Sequence, residues 1–252
     1  MVTERRPQPW LTYAVIAVNV LVFGYELANG ADLMTGPTPQ KMIELGGDFA
    51  PLTLDGQWWR LATSMFLHYG VMHIGMNMLC LYQGRIVEIV YGRAGFAALY
   101  LASGLIGGVA SLGHASNVVS AGASGAVFGV FGAFGAFLLL RRNVLDPIAV
   151  RNSARSLAFF IAINLVIGVQ SKTIDVSAHV GGLVAGALAG AALLVATSAQ
   201  SRRGLRALAV AVAAVAVTAA AVAWLPKPAS VRHQHDLEDL YHQIDGDGDR
   251  QP

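Results

Sequence analysis

Along the chain, apolar residues fall into long blocks separated by polar segments, and block length is the main structural signal. A helix needs about 20 apolar residues to cross roughly 30 Å of hydrocarbon. Seven blocks read as spans: 10–27, 71–90, 95–111, 124–140, 157–170, 178–196 and 205–225. Between the first two lies a long stretch, 30–69, carrying Pro37, Pro39 and Pro51 and then Gln57, Trp58, Trp59 and Arg60. Tryptophan favours the membrane interface, so this loop is expected to lie partly in one leaflet beside the bundle. The predicted fold is all-α, a polytopic transmembrane helix bundle. Two blocks are short. At ~1.5 Å per residue, 124–140 covers about 24 Å, which sets its first residue several ångströms inside the hydrocarbon. The block 157–170 is shorter still and reads as a helix at the bundle edge with freedom to move.

Composition sharpens this picture. The 252 residues are 55% hydrophobic and 13% charged, with mean hydropathy +0.54, far from the roughly quarter-charged balance of soluble domains. A single cysteine, Cys80, excludes an internal disulfide and a multi-cysteine zinc site. It is read as a packing residue. A net charge of +2 leaves no basic patch for nucleic acid. Lys and Arg concentrate on the cytoplasmic side of membrane proteins. With the N-terminus inside, inner segments hold 11 of the 17, although the outer segments contain more residues. The N-terminus is therefore placed in the cytoplasm and the C-terminus outside. Arg5 and Arg6 before an apolar run suggest a signal peptide, but block 10–27 exceeds a typical h-region and lacks a small-x-small cleavage site, so it is read as an uncleaved span. The Asp-Gly alternation from Asp245 to Asp249 lacks the spacing and terminal glutamate of a calcium loop, and the tail 226–252 is expected to be disordered.

Against this apolar background a few polar residues stand out. His73 and Asn77 are four apart and share one helical face. Ser124 stands between glycines in Gly122-Ala-Ser124-Gly125 at the mouth of a span, and Phe128, Gly132 and Gly135 continue its face. His179 opens the sixth block and shares a face with Gly182 and Gly186, small residues that let helices pack closely. Two glycines on the serine's face are expected to bring that helix near. Glu88, close in sequence to Arg85 and Arg93, is read as a structural anchor. The charge-derived topology puts His73, Asn77, Ser124 and His179 all at outer ends of spans. An ionisable group within a span is a functional hypothesis by default.

Together these residues are what acyl transfer requires. A serine hydroxyl needs a base to take its proton, and histidine serves near neutral pH. The tetrahedral oxyanion needs donors, which Asn77, His73 and the Ser124 backbone N–H supply, helped by the helix N-terminus. No Asp or Glu lies near these positions in the spans, so the arrangement reads as a Ser-His dyad.

Four ordered blocks carry a resemblance: Trp59-Arg60 with Phe66 and His68; His73-x-x-x-Asn77; Gly122-x-Ser124-Gly125; and Ala178-His179-x-x-Gly182-x-x-x-Gly186. Over about residues 58–190 the chain resembles the rhomboid intramembrane serine proteases. The resemblance implies Ser124 as nucleophile, His179 as general base, and His73, Asn77 and the Ser124 backbone as oxyanion hole. It also implies Phe128 as the aromatic packed on the catalytic histidine and structural roles for Arg60 and Glu88. It implies a six-helix core over 10–197, after a cytoplasmic lead 1–9. A cytoplasmic linker and seventh helix follow over 198–225. Substrates would be single-span membrane proteins cut within a bilayer, a bacterial plasma membrane, from a site open to the exterior. No metal or cofactor is implied, and the fifth helix would act as a lateral gate. Two rivals are weighed: a rhomboid-like protein that binds membrane clients without cutting them, and a small-solute transporter or channel. The latter predicts polar residues across the full depth of the bundle, whereas here they cluster at one end.

Overall fold

The computed structural model describes residues 8–114, 118–170, 174–195 and 203–226. The polar lead before residue 8, most of the linker before the last helix and the tail from 227 onward, with its expected disorder, lie outside the described residues. So do residues 171–173 of the polar cap before His179. In chain order the elements are α1 (Trp10–Ala28), α2 (Pro39–Leu45), β1 (Asp48–Phe49), α3 (Ala50–Thr53), α4 (Arg60–Thr63), a 3-10 turn (Ser64–Phe66), α5 (Gly70–Gln83), α6 (Ile86–His114), β2 (Val119–Ser120), α7 (Ser124–Arg141), α8 (Pro147–Gln170), α9 (Val176–Val195) and α10 (Arg203–Trp224). Six of them, α1 and α6 to α10, are long and apolar enough to cross a bilayer. The chain is a multi-pass membrane protein built as a helical bundle.

Three expectations need correction. The second block, read as one span over 71–90, breaks at Gly84. The helix α5 has 14 residues and a length of about 21 Å. A side chain at Gly84 would meet Val130 Cγ1 at 2.7 Å, so α7 packs closely against the turn at which the chain leaves α5. The residues that follow begin α6, itself interrupted at Gly92, whose φ of 75° and ψ of 169° are non-helical. That interruption falls in the gap 91–94 between the second and third blocks.

The fifth block is not short either. Helix α8 runs for 24 residues, because Pro147 starts it and Asp146 accepts the amide protons of Ile148 and Ala149 at 3.3 and 3.0 Å. Its first turns carry Arg151 and Arg155, which an apolar count discards. It does lie at the edge: 6% of its apolar stretch is buried, against 56% for α7. The outer loop 30–69 is folded. Arg60 Nη1 donates to the carbonyls of Ile43 and Gly47 at 2.6 and 2.9 Å, and Met42, Ile43, Phe49 and Leu67 form a small core with Val119. β1 pairs antiparallel with β2, Asp48 opposite Ser120, which adds a minimal ribbon to the otherwise helical fold.

The centre of the bundle is the seam of α7 and α9, flanked by α6, with α10 packed on α6. Side chains added at Gly182 and Gly186 would run into the carbonyl oxygens of Gly125 and Gly129. Gly132 also faces this seam, against Ala187 N at 2.9 Å. Gly135, expected to do the same, instead faces α8, with Leu157 Cδ2 3.2 Å from where its side chain would begin. Three residues beyond Gly132, the 3.6-residue repeat has turned it away from α9.

Candidate active site

Ser124 is the first residue of α7, and the loop before it is held from two sides. Gly122 N–H donates to Ser64 O at 2.9 Å, and Ala123 N–H points at His68 Nε2 at 3.5 Å. The other ring nitrogen of His68, Nδ1, lies 3.1 Å from Phe66 O. A carbonyl can only accept, so Nδ1 carries the proton and Nε2 is left to accept. Burial, with the nearby His73, pushes the His68 ring down to about 3, which keeps it neutral. Gly122 has φ +135°, and a side chain there would stand 2.9 Å from His73 Nε2 and 3.7 Å from Ser124 Oγ. Only glycine fits at this left-handed position between the two.

His73 lies on α5. Its Nδ1 accepts the Tyr69 N–H at 3.3 Å, so its Nε2 bears the proton and presents a donor on the side of Gly122 and Ser124. One turn on, Asn77 donates one Nδ2 proton to His73 O at 3.0 Å and keeps the other. His179 opens α9, 7% exposed. Its ring stacks on Phe128 with centroids 4.3 Å apart and planes 10° from parallel, and among the described residues its buried Nδ1 has no hydrogen-bond partner.

A cavity of about 80 Å³ is lined by Ser124, His179, His73, Asn77, Phe128 and Phe160, among others. The four polar residues that the sequence singled out thus come from three helices to one space. No hydrogen bond joins Ser124 Oγ to His179 among the described residues. Such contacts often tighten only when substrate arrives. Asn164 and Cys80 also line this cavity.

Two of the named residues lie elsewhere. Glu88 is 3% exposed and accepts the amide protons of Leu11 and Thr12 at 3.0 and 2.7 Å and the Thr12 hydroxyl at 2.7 Å. It caps the start of α1, with Arg93 at 3.9 Å. Arg60 braces the outer loop. Sequence reasoning missed the acidic neighbour of the site. Asp175 accepts Ser120 Oγ–H at 2.6 Å and Ala178 N–H at 2.9 Å, four residues before His179, a spacing that was visible. Across the ribbon, burial pushes the Asp48 carboxyl up to about 7, countered by its hydrogen bond from Thr53.

The Rhomboid domain description matches residues 55–196. The chain is 37% identical over 187 residues to "Rhomboid protease GluP" of Bacillus subtilis (strain 168), covering 74% of this chain and 35% of that protein. It is 33% identical over 175 residues to "RHOMBOID-like protein 7" of Arabidopsis thaliana, covering 69% and 55% respectively. With "Rhomboid protease AarA" of Providencia stuartii it shares 28% identity over 200 residues, 71% of this chain and 70% of that one. The chain thus spans about a third to just over half the length of the first two relatives. Matching across the region that holds α4 to α9 and the cavity between them, the chain belongs to the rhomboid family.

Proposed function

We propose that the protein is an intramembrane serine endopeptidase that cleaves membrane-spanning substrates with a Ser124–His179 dyad. The observation that carries this reading is the shared cavity, in which a hydroxyl, an imidazole and two oriented donors meet. In the proposed reaction His179 takes the proton of Ser124 Oγ as the oxygen attacks the scissile carbonyl. The electron pair moved onto the carbonyl oxygen is stabilised by His73 Nε2–H, the free Asn77 Nδ2 proton and the Ser124 N–H, an unpaired amide at a helix N-terminus. The tetrahedral intermediate collapses to an acyl ester on Ser124, with the leaving amine protonated by His179. Water then repeats the attack, again deprotonated by His179, and the acid product departs. Phe128 stacked on the ring holds its plane while it gains and loses the proton. Among the described residues no partner fixes Nδ1, in keeping with a dyad without a third member.

The site opens to the exterior in this reading, with the N-terminus in the cytoplasm, and a substrate helix approaches between α5 and the loosely packed α8. The test is reconstitution in vesicles with a single-span substrate, comparing wild type, Ser124→Ala and His179→Ala. Both variants are expected to lose cleavage. Normal cleavage by either one rejects the dyad. Equal labelling of wild type and Ser124→Ala by a fluorophosphonate rejects nucleophile activation and favours a client-binding role.

A further inference from the structure

Among the described residues, Asp175 joins two parts of the site that also meet through glycine-lined backbone contacts and the stack of Phe128 on His179. Its Oδ1 accepts Ala178 N–H and so caps α9, and its backbone carbonyl accepts His179 N–H at 3.2 Å. Its Oδ2 accepts the hydroxyl of Ser120, four residues before Ser124, at 2.6 Å. That length is typical of a strong bond between a hydroxyl and a carboxylate. Among the described residues, it is the one hydrogen bond between the loop that delivers Ser124 and the segment that carries His179. Ser120 itself is fixed on its far side by the pairing of β2 with β1. Ser120, Gly122, Ser124, Asp175 and His73 together line a second cavity of about 60 Å³ beside the serine.

The physical need for such a tie follows from the seam. Carbonyl-to-glycine contacts between α7 and α9 hold the helices close but are weakly directional. They set the separation of the helices better than their axial register or the pose of the loop above. A short hydrogen bond from the first turn of α9 to the loop supplies direction at the end where the serine and histidine lie.

We infer that Asp175 is a positioning residue that, through Ser120 Oγ, locks the loop delivering Ser124 to the helix carrying His179. This rests on the proteolytic reading above. Neither side chain touches the reacting atoms: the tie acts by keeping the serine and the base in one register. Ser120 contributes its hydroxyl proton, and Asp175 contributes an acceptor that needs no net charge to serve.

The experiment uses the full-length protein in vesicles of phosphatidylethanolamine and phosphatidylglycerol, with kcat and KM measured on a spanning substrate. Ser120→Ala, Asp175→Ala and the double variant complete a cycle, and Asp175→Asn and Ser120→Thr test rescue. Each alanine variant is expected to lower kcat on the order of 10²-fold, the effect of roughly an ångström of misplacement, with KM within about twofold. The double variant is expected to be no worse than the poorer single variant, since both remove one bond. Ser120→Thr keeps the donor, and Asp175→Asn can cap Ala178 N–H through Oδ1 while its Nδ2–H donates to Ser120 Oγ, so that both are expected to recover most of kcat. Wild-type kcat in Ser120→Ala overturns the inference, as do additive losses in the cycle or no rescue by asparagine. Cleavage that survives Ser124→Ala is a separate failure and overturns the proteolytic reading itself.

Discussion

Gly182→Ala is the sharpest probe of the seam. The added methyl would lie 2.8 Å from the carbonyl carbon of Gly125 and closer to its oxygen. Carbon atoms in contact settle at about 3.5–4.0 Å, so α9 must back away by about 1 Å at this level. The obstacle is helix backbone and cannot swing aside as a side-chain tip would. His179 is three residues earlier on the same face, so the displacement reaches its ring. A misplacement of this size costs on the order of 10² in rate. Overpacking costs about 1–3 kcal/mol in stability, which a bundle of this size is expected to survive folded. The assay is cleavage of a spanning substrate by reconstituted protein, with kcat and KM determined separately and thermal unfolding followed in detergent. The expected result is a kcat fall of about 10²-fold with little change in KM. Gly24→Ala is the control, since nothing lies within 4 Å of a side chain added there on α1. Wild-type kcat in Gly182→Ala would refute the reasoning, and so would an equal loss in Gly24→Ala.

Other expectations follow from the same geometry. Asn77→Ala removes one proposed oxyanion donor and is expected to lower kcat about 10²- to 10³-fold without raising KM; a higher KM at unchanged kcat would mean that Asn77 binds substrate instead. Glu88→Ala strips the cap from α1, leaves two backbone amides and a hydroxyl unpaired, and is expected to cost about 1–3 kcal/mol in thermal stability, while fluorophosphonate labelling of the folded protein stays normal. Asp48 has its carboxyl raised by burial from 3.8 to about 7. The unfolded chain therefore ionises first as pH rises, and stability is lost between about pH 4 and 7, by roughly 4 kcal/mol in all. Asp48→Asn should remove that slope, so the apparent Tm difference between variant and wild type should grow over this window; parallel Tm profiles would exclude it.

The spans were legible where one physical signal dominated. Block 124–140 matches α7 almost to the residue, because apolar length, the glycine-rich start and the paired arginines at its end all agree. Block 71–90 failed because length was the wrong measure. The polar run Gln83-Gly84-Arg85 interrupts the apolar block there, and counting the block as one length carried the reading across it. The error over 157–170 was the reverse. Arg151 and Arg155 looked like loop residues, yet a capped, proline-started helix carries them on an exposed face. The first mistake is one of averaging over a short polar run, the second one of a cap that a hydropathy window does not contain.

The site itself was more readable than its supports, and the reason is chemical. A serine, two histidines and an asparagine are costly inside hydrocarbon, so each announces itself against an apolar background. The groups that position them do so in ways that residue type does not reveal, even where, as with His68 and Gly122, the motifs include them. His68 works through one tautomer, Ser64 through a backbone carbonyl, and Gly122 through the space that it leaves empty. Asp175 was discounted because it stands outside the spans, where carboxylates are ordinary. Its significance comes from a partner 55 residues away in the chain, Ser120, and from the helix turn that carries His179 next to it. A sequence shows which groups are expensive to bury. Which cheap groups hold them in register is a property of the seam between α7 and α9, and it becomes visible only when the loop and the helix are seen side by side.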